Sequence, residues 1–117
     1  MMYRMKLLEK PFEQIKKGEK QIEVRCFDEK RRNIKAGDTI LFSKLPQEKE
    51  HLETTVTALY PYSTFQALYS AFPPKEFGCP GASVEEMIAQ VRAIYPRERE
   101  LREGVVGIRL KRNEETK

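Results

Sequence analysis

Gly18 to Arg25 reads GEKQIEVR, and its second half alternates apolar with charged residues. Period-two alternation is the pattern of a strand with two chemically different faces. Ile22 and Val24 project to one side, Glu23 and Arg25 to the other. Lys20 stands at the strand entrance, just after Gly18 ends a predicted helix. On an open sheet face, such charges would form ordinary surface pairs worth ~0–1 kcal/mol each. A site instead requires Lys20, Glu23 and Arg25 to converge on one concave surface, with Ile22 and Val24 buried in a barrel.

Working outward, Tyr3, Met5 and Leu7 alternate with Arg4 and Lys6 and predict a first strand. A helix follows near Pro11, with Phe12 and Ile15 on one face and Gly18 just past its end. Gln21 to Phe27 is the second strand, and DEKRRN (28–33) reads as a polar connection. IKAGD makes a turn at Gly37 and launches a strand over Thr39 to Lys44. A charged loop, Pro46 to Glu50, precedes a strand over Leu52 to Tyr60.

Ser63 or Thr64 is placed to cap a short helix carrying Phe65, Leu68, Tyr69 and Phe72, which Pro73-Pro74 stops. KEFGCPGA then reads as irregular or mobile. Ser83 with Glu86 forms a capping box for a helix from Val84 to about Ile94. YPREREL allows a further short turn, in which alternating arginines and glutamates suggest a solvated surface with local ion pairs. A last strand starts near Val105. Residues 1–112 are thus expected to form one α+β domain, with 113–117 a disordered tail. Short strands without regular βαβ alternation predict mainly antiparallel pairing. Five or six of them can close into a small barrel with flanking helices.

Composition narrows the function. The chain of 117 residues suits a single domain with its own core; 39% apolar and 34% charged residues make that core lean. No stretch approaches the ~18 apolar residues of a membrane span, so no membrane partner is expected. The opening MMYRMKLLEK lacks the continuous apolar run of a signal peptide, and the expected location is the cytoplasm. Cys26 and Cys79 fit neither a zinc pattern nor a redox pair, and both should stay reduced. His51 is the only histidine. No metal site and no cofactor is expected, and a His-based triad would need His51 itself. Residues 16–35 hold eight basic and four acidic side chains, a net +4 that equals the net charge of the whole chain. Such a segment suits a phosphate-bearing partner.

The spacing G-x-K-x-x-E-x-R at Gly18, Lys20, Glu23 and Arg25 resembles the signature of the ASCH domain family. Similarity extends to the opening MKLLEKPFEQIKKG, the IKAGDTILF turn and strand, the STFQALY and SVEEMIAQVRAIYP helices, and the closing GVVGIRL. It covers residues 2–112 and is strongest to the small single-domain bacterial and archaeal members. The resemblance implies a PUA-like β-barrel fold and a cleft between barrel and helices lined by the motif. It also implies binding of RNA, or of a nucleotide or nucleoside. One group in the family hydrolyses the acetyl amide of N4-acetylcytidine with a lysine and a threonine on this strand and a glutamate elsewhere. Lys20 matches that lysine, Glu23 stands at the threonine's position, and none of Glu76, Glu85 and Glu86 aligns cleanly with the glutamate.

The side chains favour recognition over bond breaking. Arg25 offers a planar fork for a phosphate or a guanine edge, and Lys20 a mobile point charge. An ionised Glu23 would hold both cations in place or accept from a base. Tyr60, Tyr62 and above all Tyr95 are candidate stacking surfaces, worth ~1–3 kcal/mol per stacked base. Ser43 is expected to line the same cleft, and Lys30, Arg31 and Arg32 to touch phosphate. The leading reading is a binder of RNA or a nucleotide-like ligand. The alternative is a small hydrolase, amidohydrolase- or ribonuclease-like, with Lys20 as catalytic centre and Glu23 assisting. A protein-interaction module is the third class.

Overall fold

The computed structural model describes residues 1–113. Five strands form one sheet: β1 (Met2–Leu7), β2 (Ile22–Cys26), β3 (Thr39–Lys44), β4 (His51–Tyr62) and β5 (Val105–Arg112). Their order is β1-β3-β4-β5-β2. Three pairings are antiparallel, while β1 runs parallel to β3 with Tyr3 opposite Ile40. The sheet curls into a half-barrel whose end strands, β1 and β2, share no ladder. Five helices flank it: α1 (Glu9–Lys16), α2 (Glu29–Arg32), α3 (Phe65–Ser70), α4 (Val84–Arg92) and α5 (Arg97–Glu103). This is the α+β barrel-like architecture expected from the sequence.

Both faces of the sheet are covered. On one, Met5, Leu7, Ile40, Phe42 and Ile108 pack with Phe12 and Ile15 of α1. On the other, Ile22, Cys26 and Val105 pack beneath Phe65, Leu68, Phe77 and Met87. Fully burying one such side chain contributes ~1.5–3 kcal/mol, so two layers give a small chain enough core. α3 sits close on β5 because Gly107 has no side chain. A Cβ there would lie 2.9 Å from Leu68 Cδ1.

The β2–β5 register decides what each face of β2 meets. Glu23 lies opposite Ile108, whose side chain belongs to the α1 layer, and Ile22 lies opposite Arg109. Ile22 and Val24 therefore turn toward the helices α3 and α4, and not into the barrel as expected. Alternation separates the two faces of a strand, but it carries no information on which layer will cover each.

Several local expectations hold. Ser83 Oγ accepts from Glu86 N at 3.1 Å, and Ser83 N donates to Glu86 Oε1 at 2.8 Å. Thr64, rather than Ser63, caps α3 by accepting from Ala67 N. Other segments are more ordered than the sequence suggested. The polar connection after β2 contains α2, capped by the Asp28 side chain. Within KEFGCPGA, Pro74–Phe77 forms a 3₁₀ turn that buries Phe77. α5 is exposed at Arg97, Glu98, Leu101 and Arg102, as expected, but Glu100 is 1% exposed, and its Oε2 accepts from Phe65 N at 2.7 Å, tying α5 to the start of α3. Its Oε1 lies 2.8 Å from Arg92 Nη1, an ion pair out of hydrogen-bond alignment. Arg99 pairs with both Asp28 and Glu103. Of the tail expected over 113–117, Asn113 bonds to Glu53 and Thr55, and residues 114–117 lie outside the described residues.

Candidate functional site

A cleft of about 900 Å³ opens between the β1–α1 side of the sheet and α4. Lys20, Glu23 and Arg25 all line it, so the motif side chains do converge on one concave surface. Leu8, Pro11 and Gln14 flank them on one side. The loop Gly78–Ala82 and Met87, Val91 and Tyr95 flank them on the other. The strand supplies this convergence because Glu23 and Arg25 leave β2 on one face, at its unpaired edge beside β1.

Glu23 is the centre of the arrangement. One carboxylate oxygen lies 2.8 Å from Lys20 Nζ, and the other 2.8 Å from Arg25 Nε. The three side chains are 7%, 14% and 13% exposed in the order Glu23, Lys20, Arg25. Burial alone would push the Glu23 carboxyl up, but the two cations and their hydrogen bonds outweigh it and hold it at about 2. Glu23 is therefore a fixed anion. Burial likewise opposes the Arg25 charge, and Glu23 with the Tyr95 hydroxyl reverses that and raises its pKa.

Arg25 also closes the half-barrel. Its Nη2 donates to the Lys6 carbonyl at 3.1 Å, bridging the two end strands that no ladder joins. Gly78 fixes the other side of the site. Its φ is +80°, and a Cβ there would lie 2.8 Å from Gln14 Oε1 and 3.1 Å from Lys20 Cβ. Gln14 Nε2 donates to the Gly78 carbonyl at 2.8 Å, locking this contact.

The other sequence candidates are placed differently. Tyr95 lines the cleft but is 7% exposed, its ring set against Phe65 and beneath Arg99. What it presents is its hydroxyl end near Arg25, not a stacking face. Tyr60 is covered by Phe72 and Arg109, and Tyr62 is exposed on β4 away from the cleft. Ser43 is half-buried on β3 and is not among the cleft-lining residues. Lys30, Arg31 and Arg32 lie on α2, also outside the cleft. Arg31 is held by Asp28 at 2.6 Å. Arg32 donates to the Glu103 carbonyl and lies over the Phe27 ring. The cleft also recruits Lys6, Lys10, Gln14, Tyr69 and Cys79, which sequence reasoning did not assign to it. The glycines and proline around Cys79 predict only an irregular or mobile stretch. Both cysteines are free, Cys26 in the core and Cys79 at the cleft.

A buried Lys20–Glu23–Arg25 cluster thus stands at the entrance to and along the second strand of a curled half-barrel. The ASCH domain model matches residues 5–114. The chain belongs to the ASCH domain family. Among solved structures, this ASCH protein is similar to a hypothetical protein designated PH0355. The two share 38% identity over 97% of this chain and 100% of the other, with a TM-score of 0.86. Protein PF0455 from Pyrococcus furiosus, solved in solution, is 36% identical over 98% of this chain and 100% of its own, with a TM-score of 0.75. A point mutant of ZmASCH from Zymomonas mobilis shares 15% identity and a TM-score of 0.64, over 94% of this chain and 67% of that one. That last likeness establishes the PUA-like fold alone. No curated protein matches the chain. Among the described residues, no helix of this ASCH protein is long and apolar enough to cross a membrane.

Proposed function

We propose that this ASCH protein binds single-stranded RNA and takes one nucleotide into the cleft between β2 and α4. The observation that carries this reading is the Lys20–Glu23–Arg25 triad, pre-ordered and lining an open cleft. Glu23 holds both cations in fixed positions, so little side-chain entropy is lost when they meet an anion. Lys6 and Lys10 join them in the lining, against Glu23 and Glu86. The cleft thus has two positive charges in excess, which favours a phosphate. Leu8 and Ile94, both exposed, give apolar surface for the flat faces of a base.

The same geometry argues against bond breaking by Glu23. A carboxylate with both oxygens engaged and a pKa of about 2 is a weak base. Recognition asks only for charge and position, which the triad has.

The experiment is a titration of labelled short single-stranded RNA against wild type, Lys20→Ala, Arg25→Ala and Arg25→Lys. Losing a charge-assisted hydrogen bond costs ~1.5–3 kcal/mol, so each alanine variant should bind at least about tenfold more weakly. Arg25→Lys keeps the charge and should fall between. Equal affinity in all four folded proteins would refute this reading.

A further inference from the structure

Lys20 also lines a second depression, a groove at the start of β2 and the end of β5. The β2–β5 pairing ends at Gln21, just before β2, and the Gln21 carbonyl accepts from Leu110 N at 2.8 Å. Beyond that bond, Lys111 and Arg112 pair with Thr55 and Thr54 of β4 but have no strand on their other side. Facing them across the notch are Gly18 and Lys20, with Ile15 of α1 behind. The resulting groove is about 300 Å³ and open to solvent. Its charged lining residues are Lys20, Arg109, Lys111 and Arg112, and no acid is among the described residues that line it.

Two features make this more than a basic surface. β4 carries a bulge between Val56 and Ala58, so Thr57 falls outside the β4–β5 register; its hydroxyl donates to the Arg109 carbonyl at 3.4 Å and adds a polar group to the groove. Bulges re-aim side chains and cluster beside binding sites. The cations also differ in freedom. Arg109 is fixed by Glu76 at 2.6 Å, by Tyr60 and by Gln21, and so is largely spent on the fold. Lys111 and Arg112 are exposed at the end of β5.

We propose that this groove is a second phosphate subsite, so that an RNA strand runs from the cleft across Lys20 to Lys111 and Arg112. The proposal rests on the cleft reading and deepens it: the ligand is a strand of several nucleotides rather than a free nucleotide. Lys20 serves both subsites, contacting the phosphate between the nucleotide in the cleft and the next along the strand. A protein surface that tracks a backbone in this way gains affinity with each nucleotide until the track ends.

The test uses single-stranded oligouridylates of increasing length, from uridine 5′-monophosphate upward, with wild type, Lys111→Ala/Arg112→Ala and Arg25→Ala. Wild-type affinity should climb with length and then level off. The double variant should bind the monophosphate as wild type does but lose most of the gain with length. Its salt dependence on the longer strands should be shallower by roughly 1.4 units, at ~0.7 for each of the two lost phosphate contacts on a single strand. If the double variant matches wild type at every length, the groove proposal is wrong, whatever Arg25→Ala does. If the double variant loses the length gain while Arg25→Ala binds normally, the groove stands and the cleft reading falls. Absence of any length dependence in wild type also overturns the groove.

Discussion

Lys20 Nζ and Glu23 Oε1 lie 2.8 Å apart with side chains only 14% and 7% exposed, and Arg25 occupies the other oxygen of the same carboxylate. Two cations thus depend on one buried anion. Removing a partner from a buried pair typically costs ~3–5 kcal/mol because it strands the remaining charge. Glu23→Ala should therefore destabilise by about that amount. Lys20→Ala should cost less, since Glu23 keeps Arg25. Denaturant unfolding of both variants measures the difference, and equal losses would show that Glu23 is not the shared element.

Acid should weaken the fold through the same group. The Glu23 carboxyl sits at about 2 in the folded protein against an ordinary 4.5. A depressed pKa contributes stability that is complete above the unfolded value and lost as pH falls from about 4.5 through about 2. That contribution is on the order of 3 kcal/mol. Wild type should lose more stability than Glu23→Gln across this window, and parallel pH profiles would contradict the assignment.

Much of this could be read from the residues. Alternation at Ile22 to Arg25, the Ser83–Glu86 box and the apolar spacing of Phe65, Leu68 and Tyr69 are local signals, and local signals survive in a sequence. What could not be read depends on partners distant in the chain. The parallel β1–β3 pair, the seat of Ile22 under the helices and the Arg25–Lys6 bridge all follow from tertiary register. Glu100 is the sharpest case. A glutamate among alternating charges reads as solvated, yet it is buried because Phe65 N and Arg92 converge on it. Likewise α2 has no buried residue, so no apolar period announced it. For the site, the motif pointed to Lys20, Glu23 and Arg25, whereas Lys6, Lys10 and Gln14 enter through α1 and β1 packing that no spacing encodes.

Gly78→Ala should perturb the site from behind. The residue has φ +80°, and the added Cβ would press on Gln14 and Lys20. Strain of this kind costs of order 1–3 kcal/mol. The variant should both unfold earlier and bind RNA more weakly. Unchanged affinity would separate the Gly78 contact from the placement of Lys20.

The basic helix α2 should matter little. Arg31 and Arg32 are already held by Asp28 and the Glu103 carbonyl. Replacing Lys30, Arg31 and Arg32 together should reduce the salt dependence of RNA binding by at most about one unit, at ~0.7–0.9 per phosphate contact. A drop of two units or more would move the interface toward α2.

Turnover of N4-acetylcytidine is not expected, because Glu23 stands where the resemblance implies a threonine in the amidohydrolase group and both its oxygens are engaged. Chromatography of a long incubation checks this directly. Release of cytidine that Lys20→Ala abolishes would require a catalytic account of the triad.

The most direct test of the cleft is an NMR titration of labelled protein with a short single-stranded RNA. The account predicts that the first and largest shifts fall on the backbone amides of Lys20, Glu23 and Arg25 and on the loop Gly78–Ala82, which line the cleft from β2 and the α4 side. Shifts confined to α2, or scattered over the surface with these amides unmoved, would contradict it.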